Sequence, residues 1–298
     1  MTVAAPAQGH NARALRADAV RERWTLFSLS LPALVLVTVV LVLPVGWLFW
    51  LSFLSDAGEL SLTHYRRIAS QASYARIFRT TFEVSIVTTA ICVLLGYPLA
   101  YMLAQLPDRA AALCLLAVLL PFWTAVLVRT YAWLVLLQRQ GMINTWGMSL
   151  GLWSEPIPLV HNMTGTLIGM THIMLPYLIL PLYASMRAIN GDYMKAAANL
   201  GASPIRSFWT VYLPLSLPGL AAGVTIVFIL CLGFYVTPAL LGGGRVILVS
   251  MRIATDIEVF FNWGAASALG VILLVLTVAF LWLASRLANF ERFLGGPR

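Results

Sequence analysis

Few side chains in this 298-residue chain could do chemistry, and their spacing excludes most of it. Nucleotide hydrolysis needs a glycine-rich loop that cradles phosphate and ends in Gly-Lys-Ser or Gly-Lys-Thr. The sole lysine, Lys195, stands between Met194 and Ala196, so no such loop exists here. The run Gly242-Gly243-Gly244 is followed by Arg245 and Val246 and reads as a flexible turn. His10, His64, His161 and His172 are far apart, and only His172 falls inside an apolar stretch, where helix packing is its expected role. Cys92, Cys114 and Cys231 lie in apolar segments without metal-site or disulfide spacing, which marks them as buried, inert thiols. No catalytic residue, metal ligand or bound cofactor is assigned.

What remains is a set of polar groups inside apolar stretches, which are costly in hydrocarbon and therefore candidates for a solute pathway. Glu83 comes just inside the second such stretch and Arg129 late in the third, so both are expected near the outer leaflet. They either pair with one another or line the mouth of a conduit together with Trp123, Tyr131 and Trp133. Tyr235 and Thr237, beside Pro238, form a second candidate lining, because proline frees a carbonyl that must be satisfied in protein or in a wet cavity. Their alternative is packing or contact with lipid.

Composition dictates the elements that carry these groups. With 60% hydrophobic residues, 10% charged residues and a mean hydropathy of +0.87, an all-α polytopic membrane protein is predicted. The net charge of +8 comes from arginines scattered at the ends of apolar runs, a pattern of membrane orientation and not of nucleic-acid binding. Six spans are predicted, at about 27–54, 81–106, 111–137, 164–186, 219–241 and 264–288, within a unit 25–288 flanked by basic tails 1–24 and 289–298. A cleaved signal peptide is the alternative for the first run, which is nonetheless long enough to span and lacks a small-residue cleavage site. Only a turn fits between the second and third spans, at Pro107-Asp108-Arg109, so those spans are antiparallel neighbours. Residues 61–79 interleave Tyr65, Ile68, Tyr74 and Phe78 with Arg66, Arg67, Arg76 and Arg79. This is an amphipathic helix on the outer membrane surface, or a set of arginines that meets an acidic rim on a delivery protein. The cations favour the inside for both termini and for the polar interval after the fourth span. No internal repeat is clear.

That interval, DYMKAAANLGASPIRSFWTVYLPLSLP from Asp192 to Pro218, is the polar break around which the chain is organised. Asp192 is expected to cap a short helix through Ala198, and Gly201 to close it in the left-handed conformation. Ser203 and Pro204 then read as cap and first residue of a second helix, ended by Pro214. Two short helices about such an elbow make a rigid knob suited to docking. Lys195 becomes the third helical residue, paired with Asp192 or with a carboxylate on whatever docks there.

The spacing Ala196, Ala197, Gly201, Val211, Leu213 and Pro214 resembles the EAA loop of the permease subunits of bacterial ATP-binding-cassette importers, with Lys195 where that family usually has Glu. The stretches 121–137, 180–189 and 234–244 resemble the spermidine/putrescine group, and the likeness runs from the first span to the end. The resemblance implies a type I importer permease fold in the bacterial inner membrane, without an ATPase site of its own. Asp192, Lys195, Ala196, Ala197, Gly201, Ser203, Pro204, Leu213 and Pro214 would form an ATPase-docking loop within 190–217. It further implies a second similar permease, two ATPase subunits that bind the ATP, a periplasmic substrate-binding protein, and a polyamine or related cationic or zwitterionic solute. Two other classes stay open. An ion-driven secondary transporter needs ion-coordinating groups near the midplane, where carboxylates are nearly absent; a membrane assembly protein without transport is the third reading.

Overall fold

Apolar stretches inside a bilayer have no water to bond their backbone, so each must satisfy itself as helix. Helix is what the computed structural model shows for most of the residues it describes, 8–55 and 58–294; the outer ends of both expected tails, 1–7 and 295–298, lie outside them. The order is α1 (Gln8–Val37), a π turn (Thr38–Val42), α2 (Leu43–Ser52), α3 (Thr63–Ser70), α4 (Ala72–Gln105), α5 (Asp108–Leu119), α6 (Val126–Leu136) and α7 (Met142–Ser149). There follow α8 (Met163–Arg187), α9 (Asp192–Asn199), α10 (Pro204–Ser207), a second π turn (Phe208–Tyr212), α11 (Leu213–Gly233), α12 (Val236–Leu241), α13 (Val249–Glu258) and α14 (Trp263–Leu294). Among the described residues five runs are long and apolar enough to cross a membrane: 21–52, 72–105, 163–187, 204–233 and 263–286. A sixth crossing is possible only as a broken one, in which Asp108–Trp123 and α6 meet at 96°.

The differences from expectation have physical causes. The third span is not one helix from 111 to 137, because Pro121 opens a 3-10 turn and Thr124 and Ala125 turn extended before α6 begins. The second span starts at Ala72, so only α3 remains as a separate amphipathic surface helix; Tyr74 is buried under the outer segments instead of lying on a membrane surface. Pro214 does not end a helix. The π turn before it is wider than an α turn, with Leu213 N–H reaching back to Phe208 O, and there the helix runs on through Pro214 into α11 despite the missing N–H. Span five therefore begins at Pro204 and breaks at Phe234–Tyr235, short of the expected Leu241. Spans four and six match closely.

α8 is the centre of the bundle, packed against α4 and α11. Met170, Met174 and Leu178 of α8 meet Val84 and Cys92 of α4 and Val227 and Cys231 of α11. Toward the other end, Ile179, Leu182 and Met186 meet Ala100, Leu103 and Tyr212. Small residues set the separation, as is usual where lipid gives no hydrophobic drive between helices. Gly96 lies against the Leu178 side chain, and Gly223 lies against the Leu178 backbone. Cys92 and Cys231 are buried as expected, whereas Cys114 is half-exposed. The end of α8 is tied to the α4–α5 link: Arg187 Nη1 donates to Ala104 O (2.9 Å) and Leu106 O (3.1 Å), and Nη2 pairs with Asp108. The helix ends that precede the polar interval and the short link thus share one face of the bundle.

Candidate functional site

On that face α9 and α10 project as the expected elbow, with one change at its start. Asp192 is the first helical residue, not the cap; the cap position is Gly191, and Asn190 Oδ1 accepts from the Asp192 N–H at 2.9 Å. Lys195 is consequently the fourth helical residue and stands outside capping-box geometry. Its Nζ donates to Asp192 Oδ1 at 2.9 Å on the exposed surface. That bond holds the Asp192 pKa below its ordinary value, so the contribution is present at neutral pH and lost as acid protonates the carboxylate. Gly201 has φ +82 and ends α9 in a Schellman arrangement, with Gly201 N–H on Ala198 O (2.9 Å) and Ala202 N–H on Ala197 O (3.0 Å). Ser203 Oγ accepts from Arg206 N–H at 3.4 Å, and Pro204 opens α10. The elbow carries apolar side chains into the open: Leu200 is 88% exposed, Ile205 74% and Trp209 62%. Sequence reasoning named the turn and passed over these three residues, although their place beside Gly201 and Pro204 was the available signal.

The expected pair Glu83–Arg129 does not form. Glu83 is exposed on α4, and the Arg129 guanidinium lies over the Phe122 ring at 5.8 Å, with Nε buried and without a hydrogen-bond partner among the described residues. The 96° bend swings α6 against the middle of α8, where Trp133 meets His172 edge-on at 5.6 Å and Phe122 meets Tyr177 at 5.0 Å. α8 is about 37 Å long at 1.5 Å per residue, and His172 and Tyr177 flank its midpoint. At the middle of a bilayer an arginine without a partner costs about 2.5–3.5 kcal/mol by insertion scales, and a ring contact of this kind offsets only part of such a cost. His172 is likewise not fully satisfied by packing, because its Nδ1 is buried without a partner among the described residues.

The remaining candidates divide. Trp123, at the bend, is 85% exposed, and Tyr131 and Tyr235 are also exposed. Thr237 is fully buried and hydrogen-bonds Thr130 Oγ1 at 3.1 Å, so it packs α12 against α6 and lines no open space within this chain. The carbonyl that Pro238 frees is that of Phe234, and Ser250 Oγ donates to it at 2.8 Å. A further anchor went unread in the sequence: buried Asp256 pairs with Arg252 at 2.8 Å, and Arg252 lies over Tyr74 and Phe260.

Comparison with known proteins decides what this bundle is. Residues 7–290 match the family described as the binding-protein-dependent transport system inner membrane component. The chain belongs to that family. It is 31% identical over 269 residues to the spermidine/putrescine transport system permease protein PotB of Haemophilus influenzae, covering 89% of this chain and 92% of that one. It is 30% identical over 252 residues to the inner membrane ABC transporter permease protein YdcU of Escherichia coli, covering 80% and 79%. In fold it is similar to a chain of a bacterial alginate ABC transporter solved with an alginate pentasaccharide-bound periplasmic protein, with TM-score 0.75 at 16% identity over 91% of this chain and 96% of that one. This polytopic all-α chain is therefore a permease subunit of an ATP-binding-cassette importer, a transport subunit whose ATPase lies on a separate chain. Such a permease works with an ATPase, a substrate-binding protein and a further permease.

Proposed function

We propose that this permease forms half of the uptake pathway for a small amine-bearing solute, of the polyamine class or a related cationic or zwitterionic one. Its docking loop, 190–217, faces the cytoplasm and seats on one of two ATPase subunits that bind the ATP. A companion permease of similar fold completes the pathway, and a periplasmic binding protein delivers the solute. The permease unit is 25–288, with both flanking tails cytoplasmic. The observation that carries the docking role is the elbow with Leu200, Ile205 and Trp209 in the open. Apolar side chains left open on and beside a rigid elbow are characteristic of a partner surface. The solute class draws support from the spermidine/putrescine permeases among the relatives. Transport follows if nucleotide binds two arrangements of the ATPase pair with different affinity, because the knobs then carry that difference to the helices.

Burying a leucine is worth about 1.5–3 kcal/mol, so Leu200→Ser is expected to weaken capture of the ATPase by the solubilised permease roughly ten- to a hundredfold. Capture at the parent's level would remove Leu200 from the interface. Accessibility tags test orientation: reporters at the amino terminus, Asp108 and the carboxyl terminus are expected to read cytoplasm, and those near Gly58 and Ser154 periplasm. Termini on opposite sides would overturn the topology.

A further inference from the structure

Arg129 is the feature that a polycation pathway does not explain. It lies over Phe122 at 5.8 Å, one helical turn before the Trp133 that meets His172 near the middle of α8, and no described carboxylate pairs with it. Its Nε and the Nδ1 of His172 are both buried polar atoms without a hydrogen-bond partner among the described residues. The backbone beside them is irregular, extended at Thr124 and Ala125 where the span breaks. Irregular backbone at membrane depth is tolerated where it meets protein or a wet cavity. A guanidinium at that place repels di- and triamines and attracts a carboxylate, to which it can offer paired donors. With its proton on Nδ1, the neutral His172 ring can donate as well.

We propose that Arg129, assisted by His172, is a receptor for a carboxylate of the transported solute, which is therefore a zwitterionic amine and not a simple polyamine. The proposal rests on the import reading above and narrows its solute class. The ammonium end has an aromatic face available at the break of the same span, where Trp123 stands exposed.

Two four-carbon chains that differ in one end group separate the possibilities: 4-aminobutyrate and putrescine. Each is titrated calorimetrically into the complete purified complex of permeases and ATPase, without binding protein, for the parent and for Arg129→Gln and Arg129→Lys. The parent is expected to bind 4-aminobutyrate more tightly than putrescine. Arg129→Gln is expected to lose about ten- to a hundredfold toward 4-aminobutyrate, the loss of a charged hydrogen bond. Arg129→Lys keeps part of that affinity, and putrescine binds Arg129→Gln at least as well as the parent. Failure of 4-aminobutyrate to bind at millimolar concentration, or an unchanged affinity in Arg129→Gln, overturns the proposal. So does separation of the two permeases on size exclusion in Arg129→Gln, which would assign the missing carboxylate to the companion chain. The import reading is measured separately, by ATP-dependent uptake into liposomes by the parent complex with its binding protein. Uptake of putrescine in preference to 4-aminobutyrate would leave that reading standing and overturn this one.

Discussion

Gly223→Leu is expected to leave little folded permease in the membrane. A methyl placed on Gly223 would lie 3.0 Å from the carbonyl oxygen of Leu178 and 3.2 Å from its Cα. The obstacle is the backbone of α8, which cannot rotate away as a side chain could. A leucine there must push α11 off α8, and α8 is the helix on which both main cores depend: Met174 and Leu178 at one level, Ile179 and Leu182 at the next. Overpacking a core by a few methylenes costs about 1–3 kcal/mol, and four carbons driven against backbone belong at or above the upper end. Against a total stability of about 5–15 kcal/mol, that is a large fraction. The measurement is the yield and melting temperature of the solubilised variant beside the parent. Gly223→Ala, which needs a shift of only a few tenths of an ångström, is expected to fall between them. A leucine variant with the parent's yield and melting temperature would show that α8 and α11 do not need their close approach.

Much of this was legible because a bilayer leaves the backbone few choices. Spans four and six follow from length and apolarity alone, and the αL elbow follows from Gly201 set between a short helix and Ser203-Pro204. Prolines were the unreliable signal. Pro98, Pro176, Pro181 and Pro218 all lie inside helices, whereas Pro121 opens a break. The carbonyl that a proline frees can be met from far along the chain, as Ser250 meets Phe234 O for Pro238, and a residue sixteen positions away is not a local signal. The pairing of Glu83 with Arg129 failed because the bend at Thr124–Ala125 sets α6 against α8 with the Arg129 guanidinium over Phe122, while Glu83 lies on an exposed face of α4. Asp192 lost the cap position to Gly191 because Asn190 already bonds the first amide from two residues back, a local competition between two residue types that both favour helix starts.

Gly201→Val is expected to insert and fold normally yet to lose most solute uptake per ATP hydrolysed. Nothing lies within 4 Å of the place a Cβ would occupy on Gly201, so the substitution meets no neighbour and disturbs no core. Its cost is confined to the backbone: φ +82 is a region that a β-branched residue enters only at about 1–2 kcal/mol. The chain can escape that strain by leaving the left-handed region, but it must then give up the two Schellman bonds to Ala197 and Ala198. Ile205 follows this residue across the Ser203 cap, so a changed φ redirects its exposed apolar side chain relative to Leu200 and α9. A docking surface that is displaced as a whole can still bind weakly, but it no longer moves the helices in step with the ATPase. Membrane level and melting temperature are expected to stay near the parent's, while uptake falls and hydrolysis by the complex persists. Gly201→Asn is the control, since asparagine tolerates positive φ and keeps the elbow, and it is expected to retain uptake. If Gly201→Val transports at the parent's ratio of solute to ATP, the elbow does not transmit the stroke, and the coupling must run through the remainder of the 190–217 loop.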